Sequence, residues 1–272
     1  MTSGDDGRAA RRRPKATVSL EQARGEAWLP VTPVSTMEQA AEFVDALGAV
    51  LLFPTERAES PSLWEAVAGP DAEPFAEGMG PAESLLWEWK DELPRHGLAW
   101  YGKFLLRRGS LLSPRLLAAL YPGDGEPSDH HALDLSREAH EIAETLVGGP
   151  LTSAALRELV GDRSRYVRAI GELHHNLLVT SAGVLTQRAG WPAAIIDLTC
   201  RLFDVGGRLD PEYAAQRFLD TRIATTARDL SRGYGWPLAA ARERLDGLVA
   251  AGAATRTADG AYHRNEPVHP PA

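Results

Sequence analysis

The sequence predicts a mainly α-helical fold with small β wings, arranged as tandem winged helix-turn-helix domains behind an N-terminal helical domain. Three observations carry this. Between Ser136 and about Arg188, two short amphipathic helices lead into a third that opens on Arg163-Ser164-Arg165-Tyr166-Val167-Arg168, with β-prone runs after it. From Asp210 to Arg264 the order of three helices and a hairpin returns. The first half instead pairs helical apolar stripes with an acidic, aromatic-rich composition.

Residues 1–27 are polar, with Arg8, Arg11, Arg12, Arg13 and Lys15 clustered, and read as a disordered basic tail. A merely solvated tail and a nonspecific phosphate contact both fit it. Thr36 caps a helix through Leu47, whose stripe is Met37, Ala40, Ala41, Phe43, Val44 and Leu47, and Gly48 stops it. Val50 to Phe53 is a buried run ended by Pro54, and Ser62 to Val67 a short helix; residues 69 to 83, rich in glycine, proline and acid, read as a loop. The block Leu85 to Leu93 continues into Trp100 to Leu106 and sets five large rings near two lysines. It reads either as core with polar rims or as a cation–π cleft. Ser113-Pro114 opens a helix carrying Leu116, Leu117 and Leu120. Residues 28–121 thus form an acidic, aromatic-rich helical domain, and 122–135, with Pro122-Gly123-Asp124-Gly125-Glu126-Pro127, a linker.

The winged helix at 136–209 starts with Ala139, Ile142, Ala143 and Leu146, and Gly148-Gly149-Pro150 ends that helix. Thr152 suits an N-cap that accepts from the amide of Ala155. The third helix turns Tyr166, Ile170, Leu173 and Leu177 inward, leaving Arg163, Arg165, Arg168 and His175 outside. Leu177 to Thr180 and Val184 to Thr186 flank a turn at Ser181-Ala182-Gly183, and Trp191 to Leu198 adds a strand. In the winged helix at 210–264, Tyr213 to Leu219 is the first helix and Thr226 with Asp229 caps the second. Pro237 starts a third with Leu238, Ala241, Leu245 and Leu248 inward, Gly252 ends it, and Asp259-Gly260 turns a hairpin. Arg242, Arg244 and Arg256 fall where this motif meets a nucleic-acid backbone. Residues 265–272 read as a tail.

Composition narrows the classes. Of the 272 residues 44% are hydrophobic, enough for a sizeable core, and the one cysteine, Cys200, excludes an intramolecular disulfide framework. His130-His131 and His174-His175 are adjacent pairs whose rings should point apart, and no HExxH spacing occurs, so neither a metal nor a cofactor is expected. No apolar run approaches membrane length and no signal core follows the basic N-terminus, so the expected place is the cytoplasm, at the nucleoid if the chain binds DNA. The net charge of −8 is unevenly spread. Residues 31–100 hold 13 acidic and 3 basic side chains, a balance of −10, against 6 and 8, a balance of +2, in residues 211–264. A polyanion surface therefore belongs to the C-terminal half.

Particular words add to this. Leu47-Gly48-Ala49-Val50-Leu51-Leu52-Phe53-Pro54, Leu63-Trp64 and Leu86-Trp87-Glu88-Trp89-Lys90-Asp91-Glu92-Leu93-Pro94, ahead of two winged helices, resemble the AlkZ (YcaQ-type) winged-helix DNA glycosylase superfamily over roughly residues 36–264. Leu52-Phe53-Pro54 and Pro61-Ser62-Leu63-Trp64 are similar to the words of its shorter AlkZ-related branch. The resemblance implies double-stranded DNA as partner, and removal of alkylated bases or unhooking of interstrand crosslinks as the superfamily's activity. By the same register, the two polar positions with which the superfamily holds water and stabilises the sugar cation are Leu51 and Phe53, which do neither. The reading is then a winged-helix DNA-binding protein without base-excision activity, touching DNA through Arg163, Arg165, Arg168, Arg242, Arg244 and Arg256. Two alternatives stand beside it: a DNA glycosylase with a relocated carboxylate, for which Glu56, Glu88 and Asp91 are nearest in sequence, and a winged-helix protein-interaction module, to which the acidic first half points.

Overall fold

Thr36 opens the first helix as its sequence predicts. Its hydroxyl accepts from the amide of Gln39 at 3.2 Å, and the Gln39 side-chain oxygen accepts from the Thr36 amide at 3.2 Å, so two donors orphaned by the helix start are satisfied. The structure is a computed structural model that describes residues 28–55, 60–185 and 193–265. The basic tail at 1–27, Glu56, and residues 266–272 of the C-terminal tail lie outside those residues. Helix α1 (Met37–Leu47) ends at Gly48, and β1 (Ala49–Leu51) pairs with β3 (Gly109–Leu112), which also pairs with β2 (Trp100–Lys103). The sheet is antiparallel, with Val50 and Tyr101 on either side of Leu111.

Side chains alternate along a strand, and here both faces are covered. Val50 and Leu111 pack with Phe43 of α1, Trp64 of α2 (Leu63–Ala68), and Leu86 and Trp89 of α3 (Pro81–Arg95). Ala49, Leu51, Trp100 and Leu112 instead join a larger core that runs on to Tyr262. Ser113 caps α4 (Pro114–Leu120) by accepting from Leu116 at 3.2 Å.

The segment read as a linker carries its own structure. The Asp129 carboxylate accepts from the amides of Asp124, Gly125 and Glu126 and from the Tyr121 hydroxyl, all within 3.1 Å. A single 3-10 turn, Asp129–Ala132, follows from it.

Next come α5 (Arg137–Val147), β4 (Leu151–Thr152), α6 (Ser153–Val160), α7 (Arg163–His175), β5 (Val179–Leu185) and β6 (Ala193–Leu198), with strand order β4-β6-β5. Thr152 caps α6 through the amide of Ala155 at 3.1 Å, as expected. One expectation is corrected: Ser181-Ala182-Gly183 is not the wing's turn. Ser181 faces Ile196 and Val184 faces Ala194, so β5 holds one extra residue, absorbed by Gly183 at φ +110° as a bulge. Thr180, bonded both ways to the Tyr101 backbone, and Ser181, bonded to Asp91, hold β5 along β2 and α3 up to the point where a turn was read, and Val184 and Leu185 pair with Ala194 and Ala193 beyond it.

After α8 (Thr199–Leu202) the chain forms α9 (Pro211–Asp220), α10 (Ala227–Tyr234), α11 (Leu238–Ala250), β7 (Ala254–Arg256) and β8 (Tyr262–Arg264). Thr226 and Asp229 form the expected reciprocal cap. Among the described residues, no helix is long and apolar enough to cross a membrane.

Candidate nucleic-acid interface

Helix α7 starts at Asp162, whose carboxylate accepts from the amide of Arg165 at 2.8 Å, and it buries Tyr166, Ala169, Ile170, Leu173 and His174. The opposite face presents Arg163, Arg165 and Arg168 to solvent. Their surroundings differ. Arg168 looks into a concavity of about 550 Å3 that also holds Lys103, Arg107, Val167, Glu172 and His175. Among the described residues none of Lys103, Arg107 and Arg168 makes an ion pair. Glu172, the carboxylate there, is turned to Ser136, accepting from its amide at 2.9 Å and its hydroxyl at 2.5 Å. Three cations therefore line one concavity without an ion pair among the described residues, outnumbering its one carboxylate, Glu172, which suits a phosphate.

Lys103 ends β2 and Arg107 stands on the connection to β3, whose tip is left-handed at two non-glycine residues, Leu106 and Arg107, both at φ +56°. Such a conformation costs about 1–2 kcal/mol per residue and persists only where the surroundings over-determine it. Here Ser110 Oγ accepts from the amide of Leu105 at 3.0 Å and sits 3.2 Å from the Gly102 carbonyl. Phe104 is wedged between His175, with ring centroids 5.9 Å apart and nearly parallel planes, and Tyr234 of α10 at 5.4 Å. Burial, and then the charge of Arg107, pull the His175 pKa down. His174, packed edge-on against Trp100, is pushed down to about 3 by burial and by Lys103, so it is a neutral imidazole.

The other arginines singled out by sequence are dispersed. Arg163 borders a shallow groove with Arg157, Glu158 and Asp162. Arg165 pairs with Glu138 at 3.4 Å, Arg244 with Glu212, and Arg256 with Asp246 at 3.4 Å while lying over the Tyr262 ring. Arg242 is exposed. Sequence reasoning missed Lys103 and Arg107; the signal was present in Lys103-Phe104-Leu105-Leu106-Arg107-Arg108, a basic word around an apolar wedge.

The family-motif positions form a second region. Leu51 is fully buried in the larger core. Phe53, half-buried, meets Trp64, Phe75 and Trp87 at centroid distances of 5.8, 5.1 and 6.4 Å. Both are apolar walls. Of the fallback acids, Glu88 is exposed, whereas Asp91 is 4% exposed, bonded to Lys90 Nζ at 2.6 Å and to the Ser181 hydroxyl at 2.5 Å. The Lys90 ammonium lies over Trp87 at 4.9 Å and Tyr101 at 5.6 Å, so part of the aromatic block is a cation–π arrangement. Its other rings, Trp89, Trp100 and Phe104, are core. Tyr101 and Lys103 are two residues apart on β2, hence on one face, which links this region to the basic concavity.

Two other readings meet the structure here. Cys200 is half-buried, and burial pushes its thiol up, away from a nucleophile's range. The expectation that adjacent histidines diverge fails at His130 and His131, whose rings are 4.2 Å apart, because a 3-10 turn carries them to one carboxylate, Glu144.

A family model described as AlkZ related matches residues 34–229. Among solved structures, the chain is similar to Streptomyces sahachiroi DNA glycosylase AlkZ, with 17% identity and a TM-score of 0.50, over 90% of this chain and 69% of that one. At that identity the likeness concerns the fold. No curated protein matches.

Proposed function

The chain belongs to the AlkZ-related family, and from that premise we propose that it is a winged-helix DNA-binding protein that lacks base-excision activity. The observation that carries this is the convergence of Lys103, Arg107 and Arg168, unpaired among the described residues, on one concavity beside α7. The order α5, β4, α6, α7, β5, β6 with sheet order β4-β6-β5 supports reading 136–198 as a winged helix. Helices α9 to α11 with the β7–β8 hairpin support a second. Helix α7 then meets the duplex, and the β2–β3 tip adds backbone contacts from outside the winged unit.

Breaking an N-glycosidic bond builds positive charge on the sugar, which a polar or anionic group must stabilise while water is held for attack. The buried Leu51 and the ring-packed Phe53 supply neither. A second reading, base excision through Asp91, is supported by that carboxylate's place beside Lys90 and exposed Trp87, on the side of β2 that also leads to Lys103. Both Asp91 oxygens are already engaged, which favours the first reading.

Retention of undamaged and alkylated duplexes across salt concentrations, with abasic sites scored in the same samples, separates the readings. Salt-dependent retention without abasic sites is expected. Abasic sites that vanish in Asp91→Asn would establish the second reading, and no retention of any duplex would leave the protein-interaction module.

A further inference from the structure

The cluster of His130, His131 and Glu144 lies away from the basic concavity, and neither reading above uses it. Glu144 Oε2 is 3.0 Å from Nε2 of His130 and 3.0 Å from Nε2 of His131, and the three donor atoms all fall within 4.8 Å of one another. Donors at about 2.0–2.1 Å from a tetrahedral zinc ion stand roughly 3.3 Å apart, which the two nitrogen–carboxylate separations of 3.0 Å approach, while the two nitrogens lie within 4.8 Å of each other. A third imidazole, His140, has its ring 5.1 Å from that of His130 and 5.6 Å from that of His131. It sits one helical turn before Glu144 on α5, so both project from one face.

The surroundings of His130 are a separate observation that points the same way. His130 is 1% exposed, and its Nδ1 lies 3.2 Å from the Pro127 carbonyl, to which an N–H there donates. In a neutral ring that bond leaves the lone pair on Nε2, which faces a carboxylate oxygen. Either a proton or a metal ion between Nε2 and the carboxylate oxygen accounts for their approach to 3.0 Å. A metal-ligating imidazole commonly donates its far N–H to a backbone carbonyl, which fixes the ring's orientation. The turn carrying His130 and His131 is itself pinned, since Asp129 holds the amides of residues 124 to 126. His131 and Glu144 face an open concavity of about 470 Å3, shared with His140, Glu141 and Arg137, so an ion has a way in.

We propose that His130 Nε2, His131 Nε2 and the Glu144 carboxylate bind a divalent transition-metal ion of the zinc class, with His140 beside the fourth position. Imidazole nitrogens with one carboxylate suit zinc, and the lack of thiolates disfavours the soft monovalent ions. The ion clamps the turn at 129–132 to α5, so its effect is on stability and not on DNA contact.

The test uses the full chain, freed of metal with a chelator and titrated with zinc(II) alone, and separately with cobalt(II) to read ligand geometry from its visible bands. Expected are one zinc bound at micromolar or lower concentration, tetrahedral cobalt bands, and a raised melting temperature. Because His130 is buried and its loss risks the fold, the solvent-facing variants His131→Ala and Glu144→Gln carry the test, each weakening zinc affinity at least tenfold. Their metal-free melting should change far less than their zinc-induced shift. No stoichiometric zinc uptake would overturn the proposal, as would uptake unchanged in both variants; in either case a proton bridges the cluster.

Discussion

Ser181 donates its hydroxyl to the carboxylate of Asp91 at 2.5 Å, a bond that ties β5 to α3 across 90 residues. The other Asp91 oxygen takes the Lys90 ammonium at 2.6 Å, with both side chains nearly buried. Removing one partner of a buried ion pair leaves the other charge uncompensated, which costs about 3–5 kcal/mol. Asp91→Ala should therefore lose about that much in urea unfolding, and Ser181→Ala about 2 kcal/mol, as for a lost hydrogen bond to a charged group. Equal and small losses would show that the pair is solvated.

DNA retention should follow the unpaired cations. Each neutralised phosphate releases about one counterion, so Arg168→Ala, Lys103→Ala and Arg107→Ala should each lower the salt slope by about one unit. Arg165→Ala, already shared with Glu138, should lower it less. If the triple variant at 103, 107 and 168 keeps the parent's slope, the concavity is not the interface.

Arg107 stands at φ +56°, which glycine adopts without a Cβ clash. Arg107→Gly should be as stable as the parent or up to about 1 kcal/mol more so, whereas Arg107→Ala keeps the clash and gains nothing. Both should lose DNA retention alike. A glycine variant less stable than the alanine one would place the strain elsewhere.

Acid should weaken the fold through His174. Its folded pKa is lowered from 6.5 to about 3, so below 6.5 the unfolded chain takes up a proton that the folded chain refuses. Stability present at neutral pH is then lost as pH falls through that window, by about 1.4 kcal/mol per pH unit between pH 6 and 5 from this one site. His174→Leu should flatten that part of the pH profile measured by denaturant unfolding. An unchanged profile would mean that the ring titrates alike in the folded and unfolded chains.

What was legible in the sequence was local. Thr36, Ser113, Thr152 and Thr226 cap helices through partners three residues away, and such chemistry is written in the spacing. The exposed side of α7 was equally readable, because 3.6-residue periodicity assigns its faces. Gly183 misled, since a glycine at a bulge and one at a turn look alike until long-range bonds such as Ser181 to Asp91 hold the strand straight. The meeting of Arg168 with Lys103 and Arg107, and of Glu144 with two histidines, depends on tertiary approach over many residues, which no periodicity encodes.

The sheet of β1, β3 and β2 has no water side: Val50 and Leu111 are claimed by the N-terminal helices, Leu51, Trp100 and Leu112 by the C-terminal core. Neither half can be cut away without baring one of these faces. A fragment ending near residue 121 would offer a flat apolar plane flanked by strand edges, a template for self-association. The chain should therefore unfold in a single cooperative step, and proteases should find no cut inside 60–185 that leaves two soluble pieces.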